Sequence, residues 1–495
     1  MKGMPMKQIR FDFNNMLDVR VGKKDGVSHV DLARISGNLK GACRHLDKII
    51  SSPADRVAVG LEWTRLPFQE KRRVDEIQEL GLRISRQYEN VIFLGIGGSF
   101  LGLKAAQDAL CLPYYNELSA LRRGRPRIYF EGNNLDPDTL HTLLVNLSPK
   151  KTFVVVISKS GETIETKAAF ASVEAWLKKG AGKKYGRQIV AITDPASGGL
   201  RRYVEEKQKE DRLSFRSLPL LRGVGGRFSE LNMGLLHLAV IGVDIGEVLH
   251  GAAAMFERCR NPAIYENPAS LYAALHFILY QKKSKNIALL MPFSETLKST
   301  ADWYVQLLAE SLGKKYGRKI TVAPDGTERW GLDFKRVVNT GRTPVSARGT
   351  NDLHSIQQNN IEGENNKVIT FVCVDNFKSD IICSPKNSVL SGKRFSQLMR
   401  LAQEATEWSL VKASRPNCAI RMPEVNPFHW GGLLFFFEMA TAFEGELLNI
   451  NAFDQPGVDG YKNYMYYTLG KQGLDKKIVD DIKNHPLRKD KRFIL

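Results

Sequence analysis

The sequence predicts an α/β fold with mainly parallel sheets, and three observations support this prediction. Short apolar runs rich in β-branched residues recur along the chain. A segment whose apolar residues have helical spacing follows each of the clearest runs. Two of these runs end in glycine or hydroxyl residues, as strands do before a tight turn into a helix. This alternation predicts parallel strands covered by helices on both faces.

The expected elements divide the chain into four ranges. Residues 1–85 are predicted to be a mostly helical entry segment, because apolar residues near its end have helical spacing. Residues 86–268 and 269–450 are predicted to be two α/β domains, and residues 451–495 a basic, helical C-terminal arm. The predicted strands are 90–94, 127–131, 154–157, 188–193, 287–291 and 368–374.

Composition limits the class of protein. With 43% hydrophobic and 25% charged residues, the chain resembles an ordinary soluble protein. No run of about 18 apolar residues predicts a membrane span. The most apolar region, 431–443, includes Glu438 and is expected to be a core helix. No apolar signal segment follows the N-terminus, so a cytoplasmic enzyme is expected.

Cysteine spacing and charge exclude further classes. The six cysteines are scattered and form no C-x-x-C pair, which favours reduced thiols over a disulfide framework or a zinc site. The net charge of +19 favours anionic partners. Basic residues are widely spread and no nucleic-acid-binding motif accompanies them, so nucleic acid is not expected as a partner.

The segment 158–163, Ser-Lys-Ser-Gly-Glu-Thr, is the most informative part of the chain. It follows a predicted buried strand and precedes a predicted helix. A strand that ends in this way presents backbone N–H groups and hydroxyls to one point, and the helix dipole adds positive potential there. The segment therefore predicts an anion site, with phosphate as the ligand.

A second turn of the same kind, Gly-Ile-Gly-Gly-Ser, occupies residues 95–99. Alone it fits tight helix–strand packing as well as it fits nucleotide binding. No acidic residue follows in the usual ribose-binding position, and no G-x-x-x-x-G-K-[ST] motif is present. The pair of turns thus favours a phosphorylated ligand smaller than a nucleotide.

Several motifs, taken in order, resemble those of the glucose-6-phosphate isomerase family. Both turns resemble the phosphate turns of sugar isomerase domains. The similarity extends from about residue 60 to 465, and its main segments are Gly-Gly-Arg-Phe-Ser at 225–229, the helix of 301–314, the loop of 349–355 and Phe-Asp-Gln-Pro-Gly-Val-Asp-Gly-Tyr-Lys at 453–462.

The resemblance implies a fold and a reaction. The fold would be two three-layer α/β/α domains of the sugar-isomerase type. The reaction would interconvert glucose 6-phosphate and fructose 6-phosphate through ring opening and a cis-enediol(ate), which requires a base near the carbon atoms and positive charge near the developing oxyanion. Neither a metal nor another cofactor is implied, and the expected partners are the phosphorylated hexose and a second copy of the chain.

The resemblance also assigns site residues. Glu310 would be the proton-transfer base, Arg227 would stabilise the enediolate, and His354 and Lys462 would open the sugar ring. His354 would reach the active site of a neighbouring subunit. The substrate-binding residues would be Gly98, Ser99, Ser158, Lys159, Ser160, Thr163, Gln306 and Gln455.

Two departures leave alternatives open. After Ser229 the family usually continues with small residues, whereas this chain has Glu-Leu-Asn-Met at 230–233, which is expected to shift the following helix. Asp459 stands where glutamate is usual. The altered residues keep mannose 6-phosphate open as a further substrate. A non-catalytic phosphosugar sensor is the alternative from another class, and Glu310, His354 and Lys462 argue against it.

Overall fold

A computed structural model of the chain describes residues 8–386 and 388–495. The chain forms two compact units. The first ends at Phe453 and contains the sheets, and the second is Asp454–Leu495. The strands of the first unit, in chain order, are β1 (Arg10–Asp12), β2 (Asn90–Leu94), β3 (Arg127–Glu131), β4 (Thr152–Ile157), β5 (Ile189–Thr193), β6 (Arg216–Pro219), β7 (Ile287–Pro292), β8 (Lys314–Val322), β9 (Glu328–Thr340), β10 (Thr343–Ser346), β11 (Lys367–Asn376) and β12 (Asn417–Glu424).

Two five-stranded sheets organise the first unit. One has the order β3-β2-β4-β5-β6, and all its neighbouring strands are parallel. The other has the order β1-β12-β11-β7-β10 and is parallel except for β1, which pairs antiparallel with β12. Strands β8 and β9 form a separate antiparallel pair. The expectation of mainly parallel sheets is confirmed.

Helices connect the strands and cover them. In the first unit they are α1 (Asp18–Val21), α2 (His29–Ser51), α3 (Pro53–Val59), α4 (Lys71–Gln87), α5 (Leu101–Leu110), α6 (Ser119–Arg122), α7 (Pro137–Asn146), α8 (Ile164–Ala181), α9 (Gly199–Glu210), α10 (Glu230–Met233), α11 (Leu235–Ile241), α12 (Ile245–Cys259), α13 (Pro268–Lys283), α14 (Lys298–Leu312), α15 (Gln357–Glu362), α16 (Phe395–Lys412) and α17 (Pro427–Leu448). The second unit contains α18 (Asp459–Thr468) and α19 (Lys476–Asn484).

Both faces of the first sheet are buried. Along β4, Val155 and Ile157 point into the large core beneath α4, α5 and α11, whereas Val154 and Val156 pack under α7, α8 and α9. Strand residues alternate between faces, so a continuous apolar run is what a doubly covered strand requires. The second sheet alternates likewise between the large core and a smaller cluster under α16.

Helix α17 lies at the centre of the first unit. Its N-terminus is capped by the side chain of Asn426, which accepts the N–H of His429 at 2.8 Å, and Pro427 occupies the first turn. Every residue from His429 to Gly445 is buried, Glu438 included. The helix packs against α12, α13 and α14. The prediction of a core helix at 431–443 is therefore confirmed.

All six predicted strands are present, with ends that differ by no more than a few residues. The four domain limits remain a prediction; within the range expected to be mostly helical, β1 joins the second sheet. Within residues 8–386 and 388–495, the structure has no helix with the length and apolar content needed to span a membrane.

Candidate active site

The two predicted phosphate turns lie side by side at the carboxyl edge of the first sheet. Strands β2 and β4 are adjacent and parallel, about 4.8 Å apart. Chain order reverses between them, and in open α/β sheets such a switch point is the usual ligand-binding crevice. The turn after β2 is 97–99, and the turn after β4 is 158–163. The fold thus brings together Gly98, Ser99, Ser158, Lys159, Ser160 and Thr163.

Hydrogen bonds within the loop fix the shape of segment 158–163. The hydroxyl of Ser158 accepts the N–H of Gly161 at 3.0 Å, and that of Ser160 accepts the N–H of Glu162 at 3.1 Å. Gly161 has a φ of +74°, and a Cβ there would lie 2.3 Å from the nitrogen of Leu200. Only glycine fits this position.

The same segment leads into the N-terminus of an 18-residue helix, α8. Thr163 occupies the cap position, and in the described part of the chain its hydroxyl accepts no hydrogen bond from the first turn. The amide N–H groups of that turn and the cap hydroxyl therefore remain available to an anion. This arrangement fits a phosphate group.

The glycine turn contacts the loop that carries Arg227 and the helix that carries Glu310. A Cβ on Gly98 would lie 1.9 Å from the carbonyl oxygen of Gly226, so the two backbones are in direct contact. Gly97 has a φ of +58°, and a Cβ there would lie 2.9 Å from the amide nitrogen of Gln306. The turn is consequently enclosed by the Arg227 loop and by helix α14.

We expect Gly98→Ala to destabilise the protein because its methyl group overlaps the backbone of Gly226. The expected loss in the free energy of unfolding is about 1–3 kcal/mol, measured by urea denaturation. Gly226→Ala is the matched control, since a Cβ at Gly226 would meet nothing within 4 Å. Equal stability of the two variants would contradict the close contact.

Arg227 is fully buried and held at all three guanidinium nitrogens. Its Nε donates to the hydroxyl of Ser311 at 2.7 Å, and its Nη2 donates to the carbonyl oxygen of Ala452 at 2.6 Å. The remaining nitrogen, Nη1, donates to the Glu310 carboxylate at 3.3 Å. A planar fork held in this way has a fixed orientation, so its positive charge is preorganised beside Glu310.

One carboxylate oxygen of Glu310 accepts a hydrogen bond from Arg227, and the other accepts one from Gln306. Oε1 accepts from the amide of Gln306 at 3.1 Å, one helical turn earlier on α14. The side chain is 29% exposed, whereas that of Arg227 is completely buried. Lys314 donates to the main-chain carbonyl oxygen of Glu310 at 2.8 Å. Glu310 is therefore a partly open carboxylate on a rigid support, as a proton carrier needs to be.

His354 lies in the loop that follows strand β10 of the second sheet. It is the exposed last residue of the turn Asn351–His354, and the strand before this turn is anchored at the start of α14, where Lys298 donates to Ser346 at 2.9 Å. Glu310 is twelve residues further along α14, about 18 Å of helix rise. The start of the His354 loop and Glu310 thus lie at opposite ends of that helix.

Gln455 and Lys462 belong to the second compact unit. Gln455 precedes the short helical turn Pro456–Val458, and Lys462 lies in α18 with its Nζ over the ring of Tyr461, 5.9 Å from the centroid. Their proximity to Glu310 remains a prediction.

The partners that orient Arg227 were not predicted from the sequence. Ser311 directly follows Glu310, and Ala452 lies at the end of the first unit, so neither carries a motif of its own. The hydrogen bond from the indole N–H of Trp303 to Glu230 was not predicted either. Among residues 8–386 and 388–495, no group of three or more His, Cys, Asp or Glu side chains is arranged to hold a metal ion.

Comparison with known proteins decides the family. The family model for phosphoglucose isomerase matches residues 79–485. The glucose-6-phosphate isomerase of Carboxydothermus hydrogenoformans is 37% identical over 494 residues, which cover 98% of this chain and 99% of that protein. The chain belongs to the phosphoglucose isomerase family. A second relative, the glucose-6-phosphate isomerase of Symbiobacterium thermophilum, is 35% identical over 423 residues, 84% of this chain and 88% of that protein.

Two solved structures have a fold similar to that of this phosphoglucose isomerase family member. A glucose-6-phosphate isomerase from Chlamydia trachomatis superposes with a TM-score of 0.75 at 20% identity and covers 96% of each chain. A hypothetical protein from Thermus thermophilus gives the same TM-score at 30% identity, covering 93% of this chain and 100% of that one. The resemblance to the family drawn from the sequence is confirmed.

Proposed function

We propose that this chain reversibly interconverts glucose 6-phosphate and fructose 6-phosphate. Membership of the phosphoglucose isomerase family supports the reaction. The observation that carries the proposal is the contact between Glu310 and Arg227 beside the glycine turn. The glycine turn follows β2, and the phosphate loop follows the neighbouring strand β4. A carboxylate and a buried guanidinium next to an anion site are what proton transfer on a phosphorylated sugar requires.

In the proposed reaction, Glu310 takes the proton from C2 of the open-chain aldose. The electron pair of the broken C2–H bond forms the C1–C2 double bond, and the carbonyl oxygen on C1 gains the negative charge. Glu310 then returns the proton to C1, and transfer of the O2 proton to O1 yields the ketose. Arg227 is proposed to stabilise the enediolate, because its charge is fixed beside the same carboxylate.

Substrate binding is assigned to the two turns and to Gln306. The phosphate is proposed to bind segment 158–163 through Ser158, Ser160, Thr163 and backbone N–H groups, with Lys159 adding positive charge. Gly98 and Ser99 would line the crevice between the loop and α14. Gln455 is proposed to contact the sugar.

Ring opening is assigned to Lys462 and to His354 of a second copy of the chain. His354 is exposed, and its loop starts about 18 Å of helix rise from Glu310 in the same chain. Contribution of the histidine by a neighbour in a homodimer explains how it reaches the substrate. An imidazole can both accept and donate a proton, which suits this step.

Mixing two inactive variants tests whether the active site is shared. Glu310→Gln and His354→Ala dimers are unfolded together and refolded as a mixture. In a mixed dimer, one site receives both wild-type residues and the other receives both substitutions. We expect the activity to recover to about one quarter of wild type, because half the dimers are mixed and half their sites are intact. No recovery, with mixed dimers shown by native mass spectrometry, would contradict a shared site.

The reaction itself is tested with purified wild-type protein. Glucose 6-phosphate is followed by NMR, and we expect its conversion to an equilibrium mixture with fructose 6-phosphate. Mannose 6-phosphate is assayed in parallel, because the residues 230–233 depart from the family pattern. A protein that binds both hexose phosphates and converts neither would be a sensor, and the proposal would be wrong.

The cytoplasm is the proposed location. The cysteines Cys43, Cys111, Cys259, Cys373, Cys383 and Cys418 are all free thiols, which suits a reducing compartment. Fractionation of cells that express the protein at its natural level tests this, and recovery outside the cytoplasmic fraction would contradict it.

A further inference from the structure

A buried hydrogen bond joins the loop of Arg227 to the helix of Glu310 at a second point. The indole Nε1 of Trp303 donates to Oε1 of Glu230 at 2.7 Å. Trp303 is completely buried and Glu230 is 3% exposed, so the bond is shielded from water. A hydrogen bond to a carboxyl group in such surroundings is strong and directional.

The position of this bond relative to the site is set by helix geometry. Trp303 precedes Glu310 by two helical turns, so the two side chains project within about 20° of each other around α14. Glu230 follows Arg227 by three residues and opens the next helix, α10. The Trp303–Glu230 bond therefore joins the same two elements as the Arg227–Glu310 contact.

Glu230 is itself fixed in place. Gly102 of α5 makes room for it, since a Cβ there would lie 2.1 Å from Cγ of Glu230. Glu438 of α17 lies beside it, and both carboxyl groups are buried. Burial raises the pKa of Glu230 to about 8, and burial with the neighbouring charge of Glu230 raises the pKa of Glu438 well above its ordinary value. At neutral pH the pair therefore keeps a proton, which relieves the repulsion between the two carboxylates.

Two fixed points define the spacing of two elements better than one. Arg227 holds α14 near its C-terminal end, through Glu310 at 3.3 Å and Ser311 at 2.7 Å. The Trp303–Glu230 bond holds α14 to the same loop region about two turns earlier, so it limits tilting of the helix about the first contact. A shift of about 1 Å at reacting groups lowers rates on the order of a hundredfold.

On the proposed function, we propose that Trp303 and Glu230 are positioning residues for proton transfer by Glu310. Their hydrogen bond sets the orientation of α14 relative to the loop of Arg227. Neither residue touches the sugar in this role. Substrate affinity through the phosphate loop is independent of the bond, whereas stabilisation of the enediolate depends on it.

Two substitutions test this proposal, and each removes one partner of the Trp303–Glu230 hydrogen bond. Trp303→Phe removes the donor and keeps an aromatic ring, and Glu230→Leu removes the acceptor and keeps a similar volume. We expect each to lower kcat by about tenfold with KM changed less than about twofold, because phosphate binding is preserved. The double variant should be no slower than the slower single variant. Glu230→Gln retains an acceptor oxygen and should keep kcat within about threefold of wild type.

Trp430→Phe is the matched control. Trp430 is also buried, and its Nε1 donates to Thr300 of α14 at 3.4 Å, but this bond does not reach the loop of Arg227. We expect it to lower stability without lowering kcat. A folded Trp303→Phe or Glu230→Leu variant with wild-type kcat, or an equal loss of kcat in Trp430→Phe, would overturn the inference. A wild-type protein inactive on both sugars would instead refute the proposed function.

Discussion

Replacing Glu310 by glutamine is expected to abolish isomerisation almost completely. Glutamine keeps the size of the side chain and can accept a hydrogen bond from Arg227 or from Gln306, but it cannot carry a proton. We expect kcat to fall by at least about 10³-fold, since the variant lacks the group that moves hydrogen between C2 and C1. KM should change only a few-fold, because the phosphate loop is untouched.

The control is the same substitution at a helical glutamate outside the candidate active site. Glu257 is exposed on α12, and Glu257→Gln should leave kcat and KM unchanged. Thermal unfolding of both variants shows whether loss of activity reflects loss of fold. Full activity of a folded Glu310→Gln protein would assign proton transfer to another residue.

The second large effect is expected for Arg227→Lys. Lysine keeps the positive charge but cannot donate simultaneously to Ser311, the carbonyl of Ala452 and Glu310. We expect kcat to fall about 10²- to 10³-fold, because the preorganised donor to the enediolate is lost. Stability should also fall by about 1–3 kcal/mol, since buried acceptors lose their partner.

Two comparisons separate the effect of charge from the effect of geometry. Ser311→Ala removes only the acceptor of Nε and should cost about tenfold or less in kcat. Arg187→Lys alters a surface fork on Asp211, with bonds of 2.7 and 3.2 Å, and should leave kcat unchanged. Wild-type activity in Arg227→Lys would mean that charge alone suffices and that the orientation of the guanidinium is irrelevant.

Much of the fold follows from local sequence because its central strands are buried on both faces. The run at 152–157 is apolar and β-branched for this reason, and it is a strand in the structure. Of the edge strands of the two five-stranded sheets, β3 was predicted and β1, β6 and β10 were not; β12, which lies between β1 and β11, was also missed. The run at 216–219 is short, carries an arginine and ends in proline, and the hairpin strands β8 and β9 carry many exposed charged residues. Such strands are specified by their neighbours more than by an apolar pattern.

The site was predictable only where its residues are close in sequence or carry a motif. Gln306 and Glu310 share a helix face, so their contact follows from spacing. The bond from Arg227 to Ala452 spans 225 positions, and no local pattern contains it. The same holds for Trp303 and Glu230, because an isolated tryptophan in an apolar helix is typical of core packing.

A crystal structure with a phosphorylated five-carbon sugar acid would test the proposed site most directly, because this ligand resembles the enediolate. We expect its phosphate on segment 158–163 and its carboxylate between Arg227 and Glu310, within hydrogen-bonding distance of the guanidinium. A phosphate bound away from that loop, or a carboxylate end in a cavity that excludes Glu310, would contradict the proposed reaction.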